Sequence, residues 1–183
     1  MALNEKQERE KFKLRIAGVS LGTHRYSMTC DKTFFELTEL SELQDGVVNV
    51  QIEMENSEKM LILDFNFEGT VFTPCDRCLD LLSLKLNFSE QLIVKLVADS
   101  KLYQNEDNIW YIDENEYELD IFHFVYESIC LALPMQKVHA DDENGNSTCN
   151  SDILERINAL SAKETSIDPR WEALQHIKDL NHE

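Results

Sequence analysis

The sequence predicts an α+β fold, a hairpin-rich antiparallel sheet with a central helix and C-terminal helices packed on it. Three observations predict it. Apolar and polar residues alternate through most of the first hundred positions. A dense apolar stretch from Ile121 to Leu131 follows, bounded by Asp120 and Pro134. Beyond residue 150, apolar residues recur at helical intervals. The chain of 183 residues suits one domain over 1–183, mainly β over 10–100 and mainly helical over 119–181, with a tail after 150 free to move.

The elements follow in order. Phe12, Leu14 and Ile16 alternate with Lys11, Lys13 and Arg15, which makes a half-buried strand with a basic outer face. Gly18 and Gly22 bracket a turn, and Tyr26, Met28 and Cys30 alternate as a second strand. Phe34, Leu37, Leu40 and Leu43 have the threefold spacing of a short helix, punctuated by Gly46. Val48, Val50, Ile52 and Met54 form a strand that turns at Asn56-Ser57-Glu58. Leu61 to Phe67 returns as a strand ended by Gly69, and Val71 to Thr73 begins another. Leu82, Leu84, Leu86 and Phe88 alternate, and Leu92 to Val97 is a further apolar run. Hairpins between such strands give an antiparallel sheet.

Ile109 to Ile112 reads as a short strand. Asp120 is the expected N-cap of the central helix. Ala140 to Asn150 is polar loop, and Ile153, Leu154, Ile157 and Leu160 mark an amphipathic helix. Asp168-Pro169-Arg170 has the form of an N-cap followed by proline at the first helical position, with Trp171, Leu174 and Ile177 as an apolar stripe behind it.

Charge narrows the function. Lysine and arginine number 17 against 35 acids, a net charge of −18. Such a surface repels polyanions and favours basic protein partners over naked nucleic acid. No segment approaches the ~20 apolar residues of a membrane span, and the charged N-terminus has no signal-peptide core. Five cysteines, Cys30, Cys75, Cys78, Cys130 and Cys149, are an odd set that suits a reducing cytoplasm better than a disulfide framework. The Asn146-Ser147-Thr148 sequon is read as chance in that setting.

The sharpest motif is Cys75-Asp76-Arg77-Cys78 after Pro74. Two intervening residues let both thiolates face one ion, as in structural zinc sites. His139 and Cys149 complete a candidate Cys3His set for Zn2+. Thioredoxin-like redox chemistry and a plain pair of thiols are the alternatives. Cys30 and Cys130 lie on apolar faces and read as core residues, and His123 as a core or rim histidine.

From Asp99 to Glu127 nine acids stand against one base, Lys101. Glu106, Asp107, Asp113, Glu114, Glu116 and Glu118, interleaved with Trp110, make either a docking surface for a basic partner or a solvated loop. Lys11, Lys13 and Arg15 are the only cluster suited to RNA, and a lysine-protected edge strand explains them equally well. No phosphate-cradling glycine loop, nucleophile elbow or His-Glu-x-x-His is present.

The ordered set resembles the YceD family, the large ribosomal RNA subunit accumulation proteins, over about Phe12 to Leu180. It comprises Cys75-Asp76-Arg77-Cys78-Leu79, Leu133-Pro134, His139, Cys149 and Asp168-Pro169-Arg170. In that family the paired cysteines sit in a C-x-x-C-L motif, which Cys75 and Cys78 match, and Asp168, Pro169 and Arg170 match its C-terminal motif. Some relatives carry further cysteines after the Leu-Pro, whereas this chain has Cys149 alone. The resemblance implies a non-enzymatic role in ribosome biogenesis, in the synthesis, processing or accumulation of large-subunit ribosomal RNA. The family's gene often neighbours that of a small basic large-subunit protein. With the charge, the expected partner is a basic ribosomal protein or a large-subunit assembly intermediate. Two rivals are a direct RNA-binding module using Lys11, Lys13 and Arg15, and a metal-dependent RNA-processing enzyme.

Overall fold

The computed structural model describes residues 7–38, 43 and 45–161 of the chain. Its strands are β1 Lys13–Arg15, β2 Gly22–Cys30, β3 Asp45–Ser57, β4 Met60–Pro74, β5 Leu81–Val97, β6 Ile109–Asp113 and β7 Glu118–Asp120. Its helices are α1 Lys32–Glu36, α2 Phe122–Leu131 and α3 Ser151–Ser161, with helical residues 7–10 ahead of β1 and a 3-10 turn at Ser100–Leu102. The chain divides into two compact units. Of the described residues, the first comprises those up to Pro74 together with Leu81–Lys137; the second comprises Cys75–Asp80 and 138–161. No helix among the described residues is long and apolar enough to cross a membrane.

The first unit is the expected α+β body. A five-stranded sheet has the order β2-β3-β4-β5-β6, and β1 pairs with β7 in a separate two-stranded sheet. β2 to β5 are antiparallel neighbours. β6 runs parallel to β5, so the sheet is mixed rather than wholly antiparallel. The connection from Val97 to Ile109 carries the chain back along the sheet, which a tight hairpin cannot do.

Alternation decides which face is buried. Val48, Val50, Ile52 and Met54 of β3 and Leu61, Leu63, Phe65 and Phe67 of β4 point inward, while Asn49, Gln51, Asp64 and Asn66 point to water. Helices α1 and α2 cover the inner face with rings. Phe34 lies 4.7 Å from Phe12 and 4.9 Å from Phe122, centroid to centroid. Phe124 sits 4.9 Å from Phe65 and meets Trp110 edge-on at 5.9 Å.

Several expected boundaries move. The helix expected over Phe34–Leu43 is α1, which starts earlier and is capped at Leu37; Leu40 lies outside the described residues. Asp31 starts it by accepting the Thr33 and Phe34 N–H groups at 2.9 and 3.4 Å. Gly46 lies inside β3, which runs through Asn56 and Ser57 to a two-residue turn at Glu58 and Lys59. Gly69 does not end a strand, because β4 continues through it to Pro74. It occupies an inward position where a Cβ would lie 2.2 Å from the Val47 carbonyl oxygen and 2.6 Å from Val48 Cα. Absence of a side chain there lets the two backbones close together without breaking the ladder. β5 is likewise one strand of 17 residues rather than two runs.

α2 begins at Phe122 with Ile121 in the cap position, so Asp120 is one residue early. Its carboxylate still accepts the Phe122 N–H at 2.9 Å. Leu131, expected in the core, is 85% exposed because it closes the helix on the solvent side. Cys30 is fully buried, Cys130 half-buried and His123 exposed.

The second unit contains the Cys75–Asp80 turn, a polar hairpin over residues 138–150 and α3. Its described buried residues are Cys75, Cys78 and Cys149. Ile153 and Leu154 of α3 are half-buried, and Ile157 and Leu160 are exposed. The expected stripe of Trp171, Leu174 and Ile177 lies outside the described residues.

Candidate metal centre

Cys75 and Cys78 are held by a tight turn between β4 and β5. The Leu79 N–H donates to the Cys75 carbonyl at 2.9 Å, and the Cys75 N–H donates to the Asp80 carbonyl at 2.8 Å. Leu79 closes the turn with φ 63°, in the left-handed region that disfavours a branched side chain. Its side chain is 77% exposed and gains nothing from burial. Leu79→Gly is therefore expected to keep the turn and raise stability by about 1 kcal/mol, seen as a higher urea midpoint.

The other half of the site comes from a hairpin in place of the polar loop expected over Ala140 to Asn150. Asp142 accepts the N–H groups of Asn144 and Asn146 at 2.9 and 2.7 Å, and its own N–H donates to the Asn146 carbonyl at 2.8 Å. Gly145 supplies φ 81° in that turn. Asp141 then bridges Ser147, and the Thr148 hydroxyl donates to the Ala140 carbonyl at 2.6 Å. The ladder returns the chain on itself, so His139 and Cys149 face each other despite their separation in sequence. The Asp-x-Asn-Gly-Asn pattern at 142–146 is the signal that predicts such a turn.

Two side-chain ties span these halves. Arg77 donates to the Ser147 hydroxyl at 3.1 Å, and the Asn150 amide donates to Asp80 at 3.2 Å. Asn150 also accepts the Asp152 N–H at 3.1 Å, which starts α3 directly behind Cys149. Neither tie is legible in the sequence, since each joins residues 70 positions apart.

The result is one cluster. The ligand atoms of Cys75, Cys78, His139 and Cys149 all lie within 4.8 Å of one another. Cys75 Sγ is 3.8 Å from Cys149 Sγ, and His139 Nδ1 is 3.5 Å from Cys78 Sγ and 3.8 Å from Cys149 Sγ. Zinc bonds of 2.3 Å to sulfur and 2.0–2.1 Å to nitrogen imply tetrahedral edges of about 3.8 Å between sulfurs and about 3.6 Å from sulfur to nitrogen. The arrangement therefore fits a tetrahedral zinc ion. With four protein ligands no coordination position is left open, the pattern of a structural rather than a catalytic ion. Desolvation pushes the Cys75 thiol up, but the backbone N–H groups of Cys78, Arg77 and His139 outweigh it and bring it down to about 6. A thiolate held this way is ready to bind a metal. No helix starts at the pair, whereas a thioredoxin-like redox pair opens one.

The acidic stretch is mostly solvated. Glu106, Asp107, Glu114, Glu116 and Glu118 are exposed, and Asp113 is half-buried and accepts the Ser100 hydroxyl at 3.0 Å. Trp110 is turned toward Phe124 and packs against the core.

The basic strand is compensated from within. Lys11 pairs with Glu8 and Lys13 with Glu10. Across the β1–β7 ladder, Lys13 faces Asp120 and Arg15 faces Glu118. The Arg15 guanidinium also covers the Tyr117 ring at 4.9 Å. The Lys13 ammonium is held above its ordinary range by its hydrogen bond to Glu10, against a desolvation that lowers it, with Glu118 and Asp120 adding to the rise. Asp168, Pro169 and Arg170 lie outside the described residues.

A family model described as "Large ribosomal RNA subunit accumulation protein YceD" matches residues 63–178, a span that contains all four ligands. No curated protein and no solved structure matches the chain.

Proposed function

This chain belongs to the YceD family, and from that premise we propose that it supports accumulation of large-subunit ribosomal RNA as a binding factor in the cytoplasm, without catalysing a reaction. Its partner is a basic ribosomal protein or an assembly intermediate that displays one. A zinc ion on Cys75, Cys78, His139 and Cys149 has a structural task, to fix the hairpin of residues 138–150 on the cysteine turn.

The observation that carries the partner's sign is the distribution of charge. Glu106, Asp107, Glu114 and Glu116 are exposed and form no ion pair among the described residues. The basic strand at Lys13–Arg15 is offset by acids, Lys11 and Lys13 through ion pairs and Arg15 through Glu118 across the ladder. A net charge of −18 then draws cationic surfaces and holds off bare phosphate backbones. Direct RNA binding would first have to break the pairs of Lys11 and Lys13 and lift Arg15 from the Tyr117 ring.

Depletion in cells followed by gradient profiling tests the role. Large-subunit RNA and mature large subunits are expected to fall; unchanged levels would refute it. Replacing Glu106, Asp107, Glu114 and Glu116 by glutamine or asparagine is expected to cut capture of basic large-subunit proteins about tenfold or more, with an unchanged melting curve, since rim charges steer association. Undiminished capture would move the contact elsewhere.

A further inference from the structure

A groove of about 670 Å³ opens in the first unit, where the end of α1 meets the start of β3 and the end of β4. This size suits a small ligand or one large side chain with its neighbours. Phe35, Phe72, Pro74 and Leu81 give it apolar walls. Thr38 and Thr73 also line it, and the buried hydroxyls of both lack a hydrogen-bond partner among the described residues. Thr73 is only 1% exposed. Orphaned buried hydroxyls are costly and rare in native cores, and two on one groove point to a guest that satisfies them.

The rim gives the guest its sign. Lys32 is matched by Glu36 at 3.8 Å. Asp45 adds a carboxylate that accepts the Gly46 N–H at 2.8 Å and forms no ion pair among the described residues. A cation with several N–H donors therefore fits better than an anion. Lysine offers a compact ammonium. Arginine offers five donors in a planar fork and a flat face for phenylalanine rings.

We propose that this groove seats an arginine side chain of a basic partner segment, with the guanidinium donating to Asp45 and to the hydroxyls of Thr38 and Thr73. Its stem lies on Phe35 and Phe72, and a χ1 rotation of each threonine brings its oxygen, shielded from solvent in the empty groove, to the guest. The inference rests on the reading of a basic protein partner and adds an anchor separate from the acidic surface at residues 106–118.

The test is methyl-resolved NMR of the full-length chain with a short glycine–serine peptide carrying one arginine between two leucines. The threonine methyl signals of Thr38 and Thr73 are expected to shift with the arginine peptide and to stay still with its citrulline counterpart. Asp45→Asn and Thr73→Val should each weaken binding about tenfold, the loss of a charge-assisted or newly satisfied buried hydrogen bond. Thr73→Val removes an orphan hydroxyl at constant shape, so it should fold as well as the parent. Still methyl signals, equal shifts with citrulline, or undiminished binding by Thr73→Val would overturn the assignment. Shifts confined to residues 106–118 would overturn it too, while leaving the acidic docking surface standing.

Discussion

Chelation is expected to remove about one zinc ion per chain and to unfold residues 75–80 and 138–161 while the five-stranded sheet stays folded. The reason is an imbalance of burial. The described buried residues of the second unit are Cys75, Cys78 and Cys149, three of the four ligands themselves. α3 offers only half-buried Ile153 and Leu154. So small an apolar inventory among the described residues offsets little of the entropy of ordering the segment, whereas a structural zinc site contributes on the order of 10 kcal/mol or more. Elemental analysis of untagged protein, with backbone NMR before and after chelation, reads both parts. Cys75→Ser should lose the metal and the hairpin together. A metal-free chain with residues 138–161 fully ordered would contradict the structural role.

Phe34→Ala should destabilise the first unit by about 3–5 kcal/mol, the range for emptying a phenylalanine site in a packed core. Phe34 is fully buried, and the rings of Phe12, Phe35, Phe122 and Tyr126 surround it at 4.7 to 6.3 Å. Those neighbours come from residues before β1, from α1 and from α2, so the cavity would loosen contacts between separate elements. Leu131→Ala is the matched control: the side chain is 85% exposed, and its change should stay within about 0.5 kcal/mol. Urea denaturation followed by tryptophan fluorescence compares the two, since Trp110 packs on the same core through Phe124.

How much of this was legible depends on the range of the physics involved. The strands read well because burying one face of a sheet imposes alternation, and Val48 to Met54 and Leu61 to Phe67 obey it. Glycine misled because its meaning depends on a neighbour the sequence does not show. Gly69 reads as a strand end, yet it serves the close approach of Val47 and Val48. β6 read correctly as a strand, but its parallel pairing with β5 depends on where the connecting loop leads. At the metal site the residue types were legible and the gap between His139 and Cys149 was not. That gap closes through the Asp142 turn, whose local signal is the Asp-x-Asn-Gly-Asn pattern. The basic strand was legible as a strand, while its neutralisation by Glu10, Glu118 and Asp120 needed the β1–β7 ladder. The groove threonines carry no sequence signal, because an unpartnered hydroxyl is a property of packing alone.

The measurement that bears most directly on the proposed role is a side-by-side titration of the purified chain at about 0.15 M salt, where surface charges are screened beyond roughly 8 Å. One arm uses basic large-subunit ribosomal proteins and the other uses naked large-subunit ribosomal RNA. Saturable binding to at least one of the proteins and negligible binding to the RNA is the predicted result. Tight RNA binding with no affinity for any of the proteins would contradict it.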